Sequence, residues 1–247
     1  MQTIGLLGKQ LSHSFSKSYF ENKFENEGIK DFQYLNFEIS SIDQLPGLIK
    51  EFQPRGFNVT IPYKESIIPF LNELSVEAKS VGAVNTVLID YKGDKPFLKG
   101  YNTDVFGFAQ SIKPFLEGTH EKALILGTGG ASKAVAFVLR NLGIDCIYAS
   151  RSKHSHDIIS YEEVNEYVIK FCPLIVNTTP VGTFPNVEAT LGLATQFINE
   201  SHLVVDLIYN PAETRLLLDA KQQGAKTLNG LSMLHQQAEK AWELFSK

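Results

Sequence analysis

A chain of 247 residues exceeds what one compact core usually organises and suits a two-domain protein. With 43% hydrophobic and 20% charged residues it is too apolar and too weakly charged for intrinsic disorder. Its 23 basic and 27 acidic residues leave a net charge of −4 with no basic block, which argues against a nucleic-acid partner.

Apolar runs predict strands over residues 2–8 and 34–38, and helical spacing predicts helices over 16–26 and 41–52. Short strands follow at 57–61 and 84–91. Residues 92–96 read as a turn, with 97–100 returning as a hairpin partner. A second β–α alternation begins with a buried strand at 122–126. A glycine turn then leads into a helix with Val135, Val138, Leu139 and Leu142 on one face, stopping at Gly143. Strands at 146–150, 174–177 and 203–207 come next. Asn210 is placed to cap a further helix, with Pro211 at its first position, Glu213 completing a capping box and Gly224 closing it. The last segment, 232–245, aligns Leu234, Ala238, Ala241, Trp242 and Phe245 as the apolar face of a docked helix. Repeated β–α units imply mostly parallel sheets covered on both sides, so the expected fold class is α/β with two domains.

Cys146 and Cys172 are the only cysteines and form no C-x-x-C pair, which suits a reducing compartment and argues against a disulfide scaffold. Among six histidines, His154 and His156 stand two apart and no H-x-x-x-H pair occurs, so no metal is expected. The longest apolar run, Ala134 to Leu139, is far short of the ~18 residues of a membrane-spanning helix. Residues 1–9 lack the basic region and apolar stretch of a secretory signal, so the expected location is cytoplasmic.

Gly127-Thr128-Gly129-Gly130-Ala131-Ser132 lies between a buried strand and a helix. Glycines there allow a tight turn and close backbone approach, and the helix N-terminus then faces a pyrophosphate. A purely structural turn could use the same glycines, but the strand–turn–helix setting favours a dinucleotide. Ser132 stands where the strict fingerprint has a third glycine. The next strand ends Ser150-Arg151-Ser152-Lys153, about 20 residues on, without the carboxylate that an NAD site uses on its ribose. A guanidinium, hydroxyls and an ammonium suit a 2′-phosphate instead, which favours NADP; a solvated polar loop is the plainer reading.

Six motifs in register show that the chain resembles the shikimate dehydrogenase family over almost its full length. They are Ser12-His13-Ser14-Phe15-Ser16, Gly56-Phe57-Asn58-Val59-Thr60-Ile61-Pro62-Tyr63-Lys64, Gly82-Ala83-Val84-Asn85-Thr86, Gly100-Tyr101-Asn102-Thr103-Asp104, Asp206-Leu207-Ile208-Tyr209-Asn210-Pro211, and Gly230-Leu231-Ser232-Met233-Leu234 through Gln237. The resemblance implies reversible, NADP-linked reduction of 3-dehydroshikimate to shikimate, a step toward chorismate and the aromatic amino acids. It implies a substrate-binding domain over 1–101, joined by a returning helix at 232–247, and a Rossmann-type NADP-binding domain over 102–231. Ser14, Ser16, Thr60, Asn85, Tyr209 and Gln237 would hold the substrate, with Lys64 and Asp104 as the catalytic pair. Gly127, Thr128, Gly129, Gly130, Ala131, Ser150, Arg151, Ser152, Lys153, Leu207 and Gly230 would contact the cofactor. The expected partner is the small-molecule substrate alone, bound by a monomer or homodimer.

A lysine serves as an acid–base group only when its surroundings lower its pKa, and a carboxylate neighbour favours the ammonium form. Lys64 is therefore expected to position and polarise the substrate oxygen, with proton transfer shared with Asp104. The chain departs from the family pattern at Lys17, where proline is usual, at Phe20-Glu21, at Val76 and at Tyr101. For the second basic residue of the 2′-phosphate clamp, Lys153 is the nearest candidate. Alternative readings are a quinate/shikimate dehydrogenase with relaxed substrate or NAD use, a non-catalytic ligand-binding paralogue, and a folate-type methylene dehydrogenase. Retention of both Lys64 and Asp104 speaks against the second, and the serine motif against the third.

Overall fold

Short aliphatic runs broken by glycines and polar turns generate strands, and amphipathic segments between them generate the covering helices. The computed structural model describes residues 1–11, 15–92, 95–151 and 158–247. It divides into one unit of residues 1–103 with 238–247 and another of residues 104–237. The sequence-expected crossings lie near residues 101 and 231.

The first unit runs β1 (Gln2–Gly8), α1 (Phe15–Glu27), β2 (Phe32–Glu38), α2 (Leu45–Phe52), β3 (Gly56–Val59), α3 (Tyr63–Ser66), β4 (Glu73–Leu74), α4 (Val76–Val81), β5 (Thr86–Lys92) and β6 (Lys95–Tyr101). Its sheet order is β2-β1-β3-β5-β6-β4. β1 is parallel to β2 and β3, whereas β5 is antiparallel to both β3 and β6, so this sheet is mixed. The β5–β6 ladder continues to the Lys92–Lys95 pair, which makes the hairpin longer than the sequence turn suggests. The expected helix at 41–52 begins as a 3₁₀ turn, because Ser41 and Gln44 form a capping box ahead of Pro46 in the first turn of α2. One core cluster holds Leu7, Phe57, Val59, Val84 and Val87. Another joins Ile4, Phe20, Phe24 and Tyr34 to Ala238, Ala241 and Phe245.

The second unit follows from α5 (Thr103–Ile112) through β7 (Lys122–Leu126), α6 (Gly130–Asn141), β8 (Asp145–Ala149), β9 (Ile158–Ile159), α7 (Glu166–Phe171), β10 (Leu174–Asn177), β11 (Leu203–Asp206), α8 (Arg215–Gln222), β12 (Lys226–Leu228) and the start of α9 (Leu231–Phe245). Its order, β9-β8-β7-β10-β11-β12, is parallel throughout. Counted from β7, this is the 3-2-1-4-5-6 order of a dinucleotide-binding fold, with the switch point between β7 and β10.

Two local expectations fail in this unit. Leu142 is 50% exposed, because α6 ends at Asn141 and the following turn delivers Ile144 to the core instead. The helix expected at Asn210-Pro211 begins at Arg215, capped by the Thr214 hydroxyl, which accepts the Leu217 N–H. Thr214 is buried and also bonds Asp206, whereas Glu213 pairs with Lys221 on the surface. No described helix is long and apolar enough to cross a membrane.

Candidate active site

In the first unit, the carboxyl ends of β1 and β3 meet where the Thr60 N–H donates to the Leu7 carbonyl at 2.9 Å. This places Thr60 at the strand end and starts the turn into α3. Buried Tyr63 anchors that helix by donating its hydroxyl to the Ile39 carbonyl at 2.6 Å. The next residue is Lys64, whose carbonyl accepts the Val84 N–H at 2.7 Å. The lysine backbone is thus bonded to the residue just before Asn85.

Asn85 belongs to a buried polar group that no apolar contact could satisfy. Its Oδ1 accepts the Thr103 N–H at 2.7 Å and the Thr86 hydroxyl at 3.1 Å, and its Nδ2 donates to Thr103 Oγ1 at 3.0 Å. Asn58 Nδ2 donates to Thr86 Oγ1 at 3.1 Å, and the Tyr34 hydroxyl donates to Asn58 Oδ1 at 2.9 Å. Ser16 lies in the first turn of α1. Burial pushes the Tyr34 hydroxyl far above the ordinary phenol range, with the nearby Ser16 hydroxyl acting the other way. Asn102 donates to the Ala83 carbonyl at 2.9 Å. Ser14 lies outside the described residues.

In the second unit, Asp104 is buried in the first turn of α5. The glycine turn follows β7. Gly127 adopts φ +101°, and a Cβ there would meet Thr179 Cγ2 at 2.9 Å and Thr178 Oγ1 at 3.0 Å. Glycine is therefore required both by conformation and by close approach. Thr178 belongs to the loop after β10 and donates its hydroxyl to the Leu126 carbonyl at 2.7 Å, closing the switch point. Gly129 is the N-cap of α6 with extended backbone and no side chain to accept the helix N–H groups; the space beside it is open. Thr128, Gly130 and Ala131 surround the same N-terminus. Ser132 folds back to donate to the Gly129 carbonyl at 2.6 Å and is 1% exposed, which explains how it fills the third-glycine position. A turn with uncapped helix N–H groups and open space at Gly129 fits the diphosphate of a dinucleotide.

Ser150 ends this edge with its N–H on the Ile159 carbonyl at 2.9 Å, and Arg151 beyond it is exposed. Ser152 and Lys153 lie outside the described residues. On the other side of the switch point, wholly buried Asp206 accepts from Asn177 Nδ2 at 3.0 Å, the Ile208 N–H at 3.0 Å and the Thr214 hydroxyl at 2.7 Å. Burial raises its carboxyl pKa although all three donors oppose the shift. Leu207 and Tyr209 follow directly, and burial also raises the Tyr209 phenol. Gly230 donates to the Ile208 carbonyl at 3.0 Å, and a Cβ there would overlap the Leu207 carbonyl. Gln237, later in α9, donates to the Leu234 carbonyl at 3.1 Å. Among the described residues no cluster of His, Cys, Asp or Glu is placed to hold a metal ion.

Residues 6–87 match the family model for the shikimate dehydrogenase substrate binding domain. A shikimate dehydrogenase (NADP(+)) from Methanosphaera stadtmanae is 36% identical over 260 residues, covering 98% of this chain and 90% of that protein. The chain belongs to the shikimate dehydrogenase family. Shikimate dehydrogenase 1 from Peptoclostridium difficile superposes with TM-score 0.86 at 40% identity, covering 100% of this chain and 92% of that one. The shikimate dehydrogenase of Thermus thermophilus, solved in complex with NADP(H) and shikimate, gives TM-score 0.83 at 34% identity, covering 100% and 94%. The stretch matched by the substrate-binding-domain family falls within the first unit and contains Ser16, Thr60, Lys64 and Asn85.

The sequence reading missed Tyr34, Thr86, Thr103 and Asp206 as organisers of these regions. Thr86, Thr103 and Asp206 sit inside motifs already quoted, so their position was a usable signal. Tyr34 carries no motif and emerges only from its hydrogen bonds.

Proposed function

We propose that this member of the shikimate dehydrogenase family catalyses the reversible NADPH-linked reduction of 3-dehydroshikimate to shikimate. The observation that carries the reading is the Lys64 carbonyl bonded to Val84 N–H at 2.7 Å, which ties an amine-bearing helix to the loop presenting buried Asn85. A ring ketone needs its oxygen polarised and a proton delivered to it, and a polyhydroxy carboxylate needs several uncharged hydrogen-bonding groups.

Lys64 orients and polarises the ketone oxygen, and proton delivery is shared with Asp104. Ser14, Ser16, Thr60, Asn85, Tyr209 and Gln237 hold the substrate. Gly127, Thr128, Gly129, Gly130 and Ala131 hold the cofactor diphosphate, with Leu207 beside its nicotinamide and Gly230 a further cofactor contact. Ser150, Arg151, Ser152 and Lys153 hold the 2′-phosphate, where the Arg151 guanidinium offers a bidentate grip. NADPH, when bound, supplies the hydride.

The test is loss of NADPH absorbance with 3-dehydroshikimate, repeated with NADH and with Lys64→Ala. Rapid turnover with NADPH, slower turnover with NADH and near-complete loss of kcat in the variant are expected. A folded chain that turns over with neither cofactor would sink the reading. Unchanged kcat in Lys64→Ala would remove the catalytic role of the lysine.

A further inference from the structure

We infer that Glu38 is a positioning residue for substrate binding that acts through Leu11 on Thr60. The inference rests on the proposed dehydrogenase reading and adds a residue to its substrate site. β1 and β2 run parallel with Leu6 opposite Asn36 and Gly8 opposite Glu38, and the Ile39 N–H donates to the Gly8 carbonyl at 3.0 Å. Asn36 and Glu38 are two apart in a strand, so their side chains leave β2 on one face. Both reach the same backbone. Glu38 Oε1 accepts the Leu11 N–H at 2.5 Å, and Asn36 Nδ2 donates to the Leu11 carbonyl at 3.4 Å. The carboxylate bond is the short, charge-assisted one, so Glu38 is the main hold on Leu11.

Leu11 is 4% exposed and packs in the cluster with Ile4, Leu6 and Phe20. A Cβ at Gly8 would stand 2.6 Å from Leu11 Cδ2 and 2.7 Å from Thr60 Cγ2. The leucine and the threonine methyl therefore close over Gly8 together and leave no room there for another methyl. Thr60 is fixed through its backbone by the 2.9 Å bond of its N–H to the Leu7 carbonyl. With that backbone held, a β-branched side chain keeps only its rotation about χ1, and placing the methyl places the hydroxyl as well. An anchored Leu11 keeps the methyl against Gly8. The Thr60 hydroxyl, proposed to hold the substrate, then points one way before substrate arrives.

Glu38 is itself exposed, so replacing it leaves the cores intact. Glu38→Ala removes the acceptor, and KM for shikimate should rise about threefold to tenfold, the range of one net hydrogen bond. KM for NADP and kcat should change little. Glu38→Gln keeps an oxygen able to accept the Leu11 N–H and should hold KM within about twofold of the unaltered chain. A carboxylate acting only by its charge gives another pattern: its loss favours an anionic substrate, so KM would fall, and equally in both variants. The deciding measurement is a double-mutant cycle with Thr60→Val, which keeps the methyl and removes the hydroxyl. Glu38→Ala should add nothing to the shikimate KM in that background. A purely structural role would lower Tm and leave KM unchanged. Should Glu38→Ala fail to fold, Glu38→Asp draws the acceptor back by one methylene and should raise the same KM.

An unchanged or lowered shikimate KM in folded Glu38→Ala, or in Glu38→Asp where that variant stands in for it, would overturn the inference while leaving the dehydrogenase reading intact. So would an equal rise in Glu38→Gln, or additive effects in the cycle. No turnover by the unaltered chain would overturn both.

Discussion

The Asp206 carboxylate accepts the Asn177 amide at 3.0 Å and so decides which way that amide faces. With Nδ2 committed to the carboxylate, Oδ1 receives the Thr179 N–H at 3.0 Å and the Thr179 hydroxyl at 2.7 Å. The Thr179 methyl in turn lies against Gly127. A buried acid at the end of β11 therefore organises the loop after β10, which borders the glycine turn after β7.

Asp206→Asn replaces an acceptor by a group half of which donates, among three donors. At least one buried donor loses its partner, at a cost of about 1–3 kcal/mol. Tm is expected to fall by roughly 2–4 °C per kcal/mol for a chain of this size. Because the displaced loop borders the glycine turn proposed to hold the cofactor, NADPH affinity should weaken as well. Thermal melts with and without NADPH check both effects; an unchanged Tm would mean that Asp206 is not the organiser of this corner.

A second prediction concerns acid. The Glu117 N–H donates to His120 Nδ1 at 2.9 Å, which requires that nitrogen to be unprotonated. Burial lowers the His120 pKa below its usual 6.5, while the Glu117 charge works in the opposite direction. Between the folded and unfolded values the unfolded chain binds more protons, so stability is lost as pH falls through this window. The contribution is fully present above about pH 6.5. Urea midpoints should decline on acidification below that point, and less steeply in His120→Asn. Equal slopes would exclude the histidine as the source.

Much of this arrangement was legible in the sequence. Alternation and glycine breaks located β1, β7 and β10, and the glycine turn with its strand and helix located the dinucleotide corner. Lys64 and Asn85 were legible because they sit in short motifs. The start of α8 was not, since Asn210-Pro211-Ala212-Glu213 carries better local capping chemistry than Thr214. Thr214 prevails because its hydroxyl also bonds buried Asp206, a tertiary bond eight residues back that local propensity does not contain. Tyr34 was hidden for the same reason: on β2 it reads as one more aromatic strand residue, and its hydroxyl's partner, Asn58, lies on β3.

The two thiols give a third prediction. Burial raises both Cys146 and Cys172 to about 11. At pH 8 only roughly one part in a thousand is then thiolate, the form that reacts with alkylating and disulfide reagents. Native protein should label very slowly at both positions, with both thiols becoming reactive together on unfolding in urea. Fast labelling of Cys172 in the native state would contradict its complete burial.

The last prediction separates two glycines that the same motif logic assigns to the cofactor. A Cβ at Gly230 would overlap the Leu207 carbonyl, and the Gly230 N–H is already held by the Ile208 carbonyl. Backbone must move to admit Gly230→Ala, so that variant should lose about 1–3 kcal/mol, as overpacked sites do. Gly129 has ordinary extended backbone and nothing within 4 Å of a Cβ. Gly129→Ala should therefore cost only about 1 kcal/mol or less, the difference between glycine and alanine as an N-cap. Its methyl would instead enter the open space proposed for the diphosphate, weakening NADPH binding while the fold persists. Urea melts paired with NADPH titrations of both variants decide the matter. If Gly129→Ala binds NADPH as the unaltered chain does, the diphosphate does not lie over the α6 N-terminus.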